Sequence, residues 1–277
     1  MHKEISMGKS SEPLVSVVMA TFNEKPDIVG KAIESILSQT YQNLELLVLD
    51  DSTAEETRRK IDSYSNDSRV KVVREQTRMG FVPALNKGLK LAAGKYIARM
   101  DGDDISLPER FEKQIAYLEE NEDVSVLGGQ INIIDENDDI VSERKYPVGK
   151  KQILKYEIFR CPLAHPTVMF RHKLVENGFL YDESLKRAED LNLWLSIQKA
   201  GYRIDNLTDK LLNYRVCESL AQKRGREQWK NNFRIRARNF DSKKLLFSFT
   251  SVFVSFCYLL LPNFLFATYY KKENNNS

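Results

Sequence analysis

Residues 96–104 read Tyr96-Ile97-Ala98-Arg99-Met100-Asp101-Gly102-Asp103-Asp104, an apolar run that leads directly into three carboxylates. Carboxylates this close repel one another unless a positive charge lies between them. A hard divalent cation, above all Mg²⁺ or Mn²⁺ bridging to substrate phosphates, satisfies such a cluster of oxygen ligands. Taken alone, the same residues also fit a solvated acidic turn, because Asp and Gly are frequent turn residues. The rest of the chain decides between these two interpretations.

The composition excludes several classes of protein. The 277 residues leave room for one large α/β domain or two small ones. With 42 basic and 39 acidic residues the charge is too balanced for a nucleic-acid-binding protein, so no nucleic acid partner is expected. The three cysteines, Cys161, Cys217 and Cys257, are far apart and odd in number, so neither a disulfide framework nor a cysteine-based metal site is suggested, and a reducing compartment fits them. Residues 1–12 are polar, and we expect no secretion signal there.

The first half of the chain alternates short apolar runs with helical patterns. The runs predict strands over residues 14–20, 44–49, 70–73, 96–100 and 124–127. Four helices are predicted between them. One begins at Pro26, a polar one ends at Lys60, a third covers residues 81–93 with Gly94 as its C-terminal cap, and a fourth covers residues 108–120. This βαβαβ order predicts a mostly parallel sheet with helices on both faces.

Acidic side chains, and one aromatic ring, follow three of the predicted strands. They are Phe22 and Glu24 after the first strand, Asp50 and Asp51 after the second, and Asp101 and Asp103 after the fourth. Open parallel sheets bind ligands at the carboxyl ends of their strands, and these groups suit a nucleotide. The chain has neither a Gly-x-Gly-x-x-Gly after the first strand nor a Walker-type Gly-Lys-Ser/Thr, which argues against dehydrogenases and P-loop NTPases.

The pattern becomes mixed after about residue 132. Residues 135–139 predict a turn between two short strands, residues 165–170 predict a strand, and residues 187–200 predict a helix. Glu189 and Asp190 fall in the first turn of that helix. Acids at a helix N-terminus also complement the helix dipole, so on these residues alone a purely structural role stays open.

Taken together, these segments resemble the glycosyltransferases of the large inverting family 2, which have the GT-A fold. The resemblance covers residues 14–214 and rests on VSVVMATFNE (15–24), SILSQTY (35–41), LDDS (49–52), ALNKG (84–88), ARMDGDD (98–104) and AEDLNLW (188–194). Residues 98–111 and 165–171 look most like the bacterial enzymes that build exopolysaccharide or capsule repeat units, the amylovoran type. The resemblance implies an α/β GT-A fold, a Rossmann-like, mostly parallel sheet flanked by helices.

The resemblance also implies the substrates and the site residues. The donor is a nucleotide-diphosphate sugar, with UDP favoured, and the acceptor is a saccharide or a polyprenyl-diphosphate-linked saccharide. The roles are base stacking by Phe22, a base hydrogen bond to Asp51, ribose and diphosphate contact near Asp101, Mg²⁺ or Mn²⁺ binding by Asp103 with Asp101, and general base catalysis by Asp190 or alternatively Glu189. Ala20, Glu24, Arg78 and Gly102 complete the donor side, and Glu189 and His165 lie toward the acceptor.

Three of these positions keep an alternative. Asp50-Asp51-Ser52-Thr53 stands where many relatives read Asp-Asp-Gly-Ser, which changes the turn and keeps the acid. Arg78-Met79-Gly80 replaces a common Asn-x-Gly, so that Arg78 either contacts a phosphate or is simply exposed. His165 either touches the acceptor or diphosphate or is a structural histidine.

Residues 245–270 contain no charged side chain and are rich in Phe and Leu. Their length suits a transmembrane helix, but Pro262 interrupts it, and a straight helix over residues 245–261 would reach only about 26 Å against a ~30 Å hydrocarbon core. A kinked span and a helix lying in the interface both stay open. We expect membrane lipid as a partner and a catalytic domain on the cytoplasmic face of the inner or plasma membrane, where nucleotide sugars are made.

The predicted organisation is a polar tail (1–13), a GT-A catalytic domain (14–218), a basic helical connector (219–244), the membrane-associated segment (245–270) and a polar tail (271–277). The basic clusters at 223–226 and 234–238 are expected to face anionic lipid or a lipid-diphosphate acceptor. Two other functions compete with the transferase. One is a sugar-phosphate nucleotidyltransferase, and the other is a nucleotide-sugar binding module without catalysis.

Overall fold

The computed structural model describes residues 12–185, 187–216 and 226–260. The predictions for residues 1–11, 217–225 and 261–277, including Pro262 and most of the basic cluster at 223–226, lie outside them. The strands are β1 (Val15–Thr21), β2 (Leu44–Asp50), β3 (Val70–Val73), β4 (Tyr96–Asp101), β5 (Ile105–Ser106), β6 (Val124–Ile134), β7 (Ile140–Arg144), β8 (Met169–Arg171) and β9 (Arg203–Arg215). The helices are α1 (Pro26–Leu37), α2 (Glu55–Asp62), α3 (Phe81–Leu91), α4 (Arg110–Glu120), α5 (Lys150–Glu157), α6 (Lys173–Glu176), α7 (Glu189–Lys199), α8 (Arg226–Arg238) and α9 (Leu245–Leu260).

One nine-stranded sheet organises these elements, in the order β3-β2-β1-β4-β8-β6-β9-β5, with β7 paired to β6. Strands β1 to β4 are mutually parallel, as the βαβ pattern predicts. Strand β8 pairs antiparallel with both β4 and β6, and β6 then runs parallel to β9. The antiparallel β8 therefore joins a parallel half built from residues 12–104 to a mixed half built from later residues.

The apolar runs form strands because helices cover the sheet on both faces. All seven residues of β1 are buried. Val17 and Met19 pack in one cluster with the α1 side chain of Ile33, whereas Val18 packs in a second cluster with Leu85 of α3. A strand that is covered on both sides reads as a continuous apolar run rather than as an alternating one.

The predicted cap at Gly94 is wrong. Helix α3 ends at Leu91, and Ala92 follows in an extended conformation. Gly94 instead lies against β1, where its N–H donates to Ser16 Oγ (2.8 Å) and a Cβ atom would come within 2.5 Å of the Leu14 carbonyl oxygen. The glycine is therefore needed for close backbone approach rather than for a left-handed turn.

The predicted strand over residues 165–170 is also only partly correct. His165–Thr167 form a 3₁₀ turn, and the strand begins at Met169. Pro166 occupies the first turn, where its fixed φ and missing N–H favour a helical start over a ladder position. Two further predictions have shifted ends, because the helix predicted from residue 108 begins at Arg110 and the strand predicted to end at residue 127 continues to Ile134.

Candidate active site

The first group of predicted donor residues lies where β1 and β2 end. Both carboxylate oxygens of Asp51 accept backbone N–H groups, from Met79 (2.9 Å) and Gly80 (2.6 Å). Gly80 has a φ of 86°, which favours glycine and lets the 78–80 turn close onto Asp51. The Arg78 guanidinium stacks on the Phe22 ring at 3.7 Å, and its Nε atom lies 4.0 Å from Asp51. A carboxylate oxygen has two lone pairs, so Asp51 keeps acceptor capacity for a ligand.

Asp50 has a different environment from Asp51, although the two are adjacent. Its side chain is buried and accepts hydrogen bonds from Thr21 Oγ1 (3.1 Å), the Ser52 N–H (2.9 Å) and Arg74 Nε (2.6 Å). These bonds fix the loop after β2. Asp50 therefore has a structural role, whereas Asp51 lies beside Phe22 and Arg78.

Glu24 links the first strand to the acidic motif. Its carboxylate accepts the Phe22 N–H through both oxygens, at 3.0 and 2.8 Å. Burial, together with the charges of Asp103 and Asp101, raises the pKa of Glu24 to about 7. A Cβ atom on Gly102 would lie 2.8 Å from Thr21 Cγ2, so only glycine allows this approach, while Ala20 is the register partner of Asp101 in β1 and β4.

Asp101, Asp103 and Asp104 offer one carboxylate oxygen each within 4.8 Å of one another. Asp104 is fully buried; its Oδ1 accepts the Arg215 N–H (2.9 Å), while its Oδ2 has no partner among the described residues. Burial and the charge of Asp101 raise the pKa of Asp103 to about 6 and that of Asp104 well above its usual range. An orphaned buried carboxylate oxygen in such a group fits a hard divalent cation. The structure thus adds Asp104 to the predicted pair.

Two buried arginines hold this acidic motif. Arg99 pairs with Asp101, and its Nε and Nη1 atoms are buried without a partner in the described part of the chain. Arg215, on β9, donates to the Asp103 carbonyl (2.9 Å) and the Asp135 carbonyl (2.7 Å) and pairs with Asp138. Sequence analysis assigned neither residue; the only available signal was a charge inside the strand that carries Arg99.

A cavity of about 420 Å³ adjoins the acidic motif. It brings together four predicted site residues, Asp101, His165, Glu189 and Asp190, and places Arg99 among them. Its walls also include aromatic and cationic side chains: Phe81, Tyr146, Tyr156, Phe159, Tyr214, Arg144, Arg160 and Arg236. Phe22, Asp51 and Arg78 do not line it. The surface that these three residues form where β1 and β2 end is called the donor edge below.

Glu189 and Asp190 are the first two residues of helix α7, and both line this cavity. The preceding Ala188 has a left-handed conformation (φ 59°, ψ 26°), which turns the chain sharply into the helix. Asp190 Oδ1 accepts the Leu191 N–H (2.7 Å), and its Oδ2 accepts the Cys161 thiol (3.4 Å). Burial raises the pKa of Asp190, and burial with the neighbouring Asp190 charge raises that of Glu189 to about 7. Two coupled carboxyl groups therefore face one cavity.

His165 lies in the same cavity wall as a neutral side chain, because burial lowers its pKa well below the usual range. Its Nε2 atom is 2.8 Å from Tyr181 Oη, and its ring packs edge-on to Trp194 at 6.1 Å. Asn86 in α3 clamps Tyr181 by accepting its N–H (2.9 Å) and donating to its carbonyl (2.9 Å). Sequence analysis missed Tyr181, whose position depends on this long-range clamp.

The sheet order and the acidic motif at the end of β4 agree with the GT-A fold expected from the sequence. The chain belongs to glycosyl transferase family 2, whose family model matches residues 16–179. The family and fold predicted from the sequence are therefore confirmed.

Among its relatives, the amylovoran biosynthesis glycosyltransferase AmsE of Erwinia amylovora is 33% identical, over 76% of this chain and 79% of AmsE. WfgD of Escherichia coli, a UDP-Glc:alpha-D-GlcNAc-diphosphoundecaprenol beta-1,3-glucosyltransferase, is 37% identical over 67% of this chain and 70% of WfgD. The crystal structure of S. aureus TarS 1-349 in complex with UDP-GlcNAc has the same fold, with a TM-score of 0.68 at 21% identity over 86% of this chain and 70% of TarS 1-349.

Proposed function

We propose that this chain is an inverting, metal-dependent glycosyltransferase of bacterial surface polysaccharide synthesis. It moves a sugar from a nucleotide-diphosphate sugar, with UDP favoured, to a saccharide or polyprenyl-diphosphate-linked saccharide. The observation that carries the proposal is that Asp101 belongs both to the three-carboxylate motif and to the cavity that contains Glu189 and Asp190. A sugar anchored at the motif is therefore presented to a candidate base.

The donor edge suits a nucleobase. Phe22 offers an exposed ring, and Asp51 offers two fixed carboxylate oxygens beside it. The Arg78 guanidinium, a flat group with N–H donors, stacks on Phe22 near Asp51, which shows that a planar group with donors fits beside this ring. The UDP-Glc in the name of WfgD and the UDP-GlcNAc bound by TarS support uracil as that base.

The diphosphate leaving group gains negative charge as the glycosidic bond breaks. A bound Mg²⁺ or Mn²⁺ supplies Lewis-acid stabilisation of that charge, and Asp101, Asp103 and Asp104 are the residues that would hold it. Arg99 pairs with Asp101 and Arg215 fixes the Asp103 backbone, so the motif is held in place before the substrate arrives. Such preorganised charge is a large contributor to catalysis.

Asp190 is the proposed base. The acceptor hydroxyl loses its proton to the Asp190 carboxylate as its oxygen bonds to the anomeric carbon, while the bond to the diphosphate breaks on the opposite face. The Cys161 thiol and the Leu191 N–H orient this carboxylate. Glu189 is the alternative base, and His165, which is neutral and bound to Tyr181, positions the acceptor side.

The cavity walls suit a sugar with an anionic anchor. Aromatic faces stack on sugar rings, and Arg144, Arg160 and Arg236 provide positive charge for a lipid diphosphate. The diphosphoundecaprenol acceptor in the name of WfgD supports this assignment. Because nucleotide sugars are cytoplasmic, the proposed location is the cytoplasmic face of the inner or plasma membrane.

The test is nucleoside diphosphate release by the purified full chain across a panel of nucleotide sugars, with Mn²⁺, Mg²⁺ or EDTA. Metal-dependent release from one donor is expected. Asp103→Asn should weaken both donor binding and turnover. Asp190→Asn should lower turnover by roughly 10²-fold or more, as expected for a lost general base, and should spare donor binding. The exposed Glu136→Gln is the matched control.

Each competing function has its own outcome in this assay. Pyrophosphate release from a sugar phosphate and a nucleoside triphosphate would show a nucleotidyltransferase instead. Nucleotide-sugar binding without turnover on a wide acceptor panel would show a binding module. Failure to bind any nucleotide sugar would overturn the proposal altogether.

A further inference from the structure

Helix α9 exposes a row of large apolar side chains. Six of them are between 46 and 74% exposed: Leu245, Leu246, Phe249, Phe253, Phe256 and Leu260. From Phe249 to Leu260 the spacing is four, three and four residues, which places them on one side of the helix. A contiguous apolar surface of this kind on a soluble domain marks an interaction site.

The opposite side of α9 is fixed to the catalytic domain. Ser251 and Ser255 are buried, and Arg236 of α8 donates to Ser251 Oγ (2.6 Å) and to the Glu157 carbonyl in α5. The Phe233 and Phe256 rings lie 5.9 Å apart across the α8–α9 contact. Helix α9 therefore has one side packed on the protein, with Phe256 at the edge of that contact, and an opposite side that carries the exposed Phe249, Phe253 and Leu260.

This packing argues against a membrane span. Helix α8 lies beside α9 and carries the exposed side chains Lys230, Arg234 and Arg238, which a spanning α9 would draw toward the hydrocarbon. Charged side chains at that depth are costly. Segment Ser242–Leu260 is nevertheless apolar enough to cross, with a mean hydropathy of 1.4, so composition alone does not decide.

The charges near the apolar row indicate which surface it meets. Lys243 and Lys244 stand at the N-terminal end of α9, and Lys230 is exposed on α8, whereas Arg234 lines a groove with Ser184 and Leu185. Arg238 is already paired with Asp182. We propose that α9 lies in the plane of an anionic bilayer, with Phe249, Phe253 and Leu260 inserted at the boundary between headgroups and acyl chains. Such helices bind through buried apolar area together with attraction to anionic lipid.

This arrangement has a consequence for substrate access. Asn232 and Arg236 of α8 line the cavity that contains Asp190, while Arg236 also bonds to α9. Helix α8 thus separates the cavity from the membrane-facing row by the thickness of one helix. The membrane contact stands independently of the transferase reaction; only the benefit for a lipid-linked acceptor rests on the proposed function.

The test is flotation of the full chain with vesicles of phosphatidylcholine alone or with 30% phosphatidylglycerol. Binding to the anionic vesicles and at least tenfold weaker binding to the neutral ones are expected. Phe249→Glu with Phe253→Glu should reduce binding to anionic vesicles at least tenfold, and Phe249→Ser with Phe253→Ser is the milder second variant. Ile140→Ser with Val141→Ser, another exposed apolar pair, is the matched control and should bind normally.

Extraction of membranes at pH 11 distinguishes the two geometries. An in-plane helix is released, whereas a spanning segment stays in the pellet. Retention in the pellet, equal binding to neutral vesicles, or full binding by both double variants of Phe249 and Phe253 would each overturn the proposal. Nucleotide-sugar binding by the same variants should match that of the unsubstituted chain, so a failure here is distinguishable from a failure of the transferase proposal.

Discussion

At the scale of single residues, Arg99 is a charged side chain inside a buried strand that contacts both the acidic motif and the cavity. Its neighbours in β4 are apolar and buried, yet it carries a guanidinium that is only 4% exposed. It pairs with Asp101 and lies in the wall of the cavity that holds Glu189 and Asp190. Its positive charge favours the ionised form of these carboxylates and so opposes the burial that raises their pKa values.

Replacing this cation should therefore damage both stability and turnover. Arg99→Met leaves Asp101 without its partner and is expected to cost about 1–3 kcal/mol of unfolding free energy. Turnover should fall at least tenfold, because Asp101 is no longer fixed. Chemical denaturation and donor turnover measure the two effects, with the exposed Arg58→Met as the control. A variant with normal stability and rate would show that the Arg99 pair is dispensable.

The coupled pair Glu189 and Asp190 predicts how the rate depends on pH. Burial raises the pKa of the proposed base Asp190, and that of Glu189 is raised to about 7, so both carboxyls are protonated in acid and the rate should rise as the pH increases above the ordinary range of an aspartate. Glu189→Gln removes a neighbouring negative charge and should shift this rise to lower pH. The measurement is the pH profile of kcat at saturating donor. A profile that is unchanged in Glu189→Gln would contradict the coupling.

At the scale of elements, the start of α7 fixes where these carboxylates point. Ala188 adopts a left-handed conformation that costs a non-glycine residue roughly 1–2 kcal/mol. The bonds from the Asp190 carboxylate to the Leu191 N–H and the Cys161 thiol begin immediately after it. The strained residue thus stands at the point where the chain must turn to direct the proposed base, Asp190, into the cavity.

Ala188→Gly should relieve this strain and loosen the turn at the same time. We expect the unfolding free energy to rise by up to about 1 kcal/mol, while kcat falls severalfold because the base is less well oriented. Ala200→Gly is the matched control, since Ala200 has an ordinary right-handed conformation at the other end of α7 and gains nothing from glycine. Denaturation and steady-state kinetics on both variants test this, and a less stable Ala188→Gly would refute it.

At the scale of the whole molecule, the acidic motif makes metal binding and stability interdependent. Burial raises the pKa of Glu24 to about 7 and that of Asp103 to about 6, both above their ordinary values. The folded, metal-free chain then binds more protons than the unfolded chain, so these groups lower stability as pH rises toward 7. Cation binding requires the deprotonated carboxylates and offsets their repulsion.

The increase in melting temperature caused by Mn²⁺ should therefore be larger at pH 8 than at pH 6. In Asp103→Asn the metal effect should shrink at both pH values, while Glu136→Gln should behave as the unsubstituted chain does. Thermal unfolding with Mn²⁺ or EDTA measures it. An equal metal effect at both pH values would contradict the proposed role of these carboxylates.

The predictable part of the fold is the part determined by local pattern. Strands β1 to β4 are apolar because helices cover both faces, and their order with the intervening helices gives parallel pairing. The long pairing of β6 with β9 joins residues about 80 positions apart, and no local pattern specifies it. In the same way, acids at strand ends were visible in the sequence, whereas Arg215, Cys161 and Tyr181 reach the site only through tertiary contacts.

The antiparallel strand β8 has a consequence for how such proteins diversify. It joins a half of the sheet that carries the proposed donor edge, built from residues before 105, to a half built from later residues that carries Asp190 and most of the cavity wall. Each half is continuous in the chain. A single genetic exchange directly after Asp104 would therefore transfer the strands of the proposed donor edge together, provided that Arg99 and Phe81 still fit the incoming cavity and that Arg215 of β9 still holds Asp103 and Asp104. New sugar linkages can then arise by reassortment of existing halves as well as by point substitution.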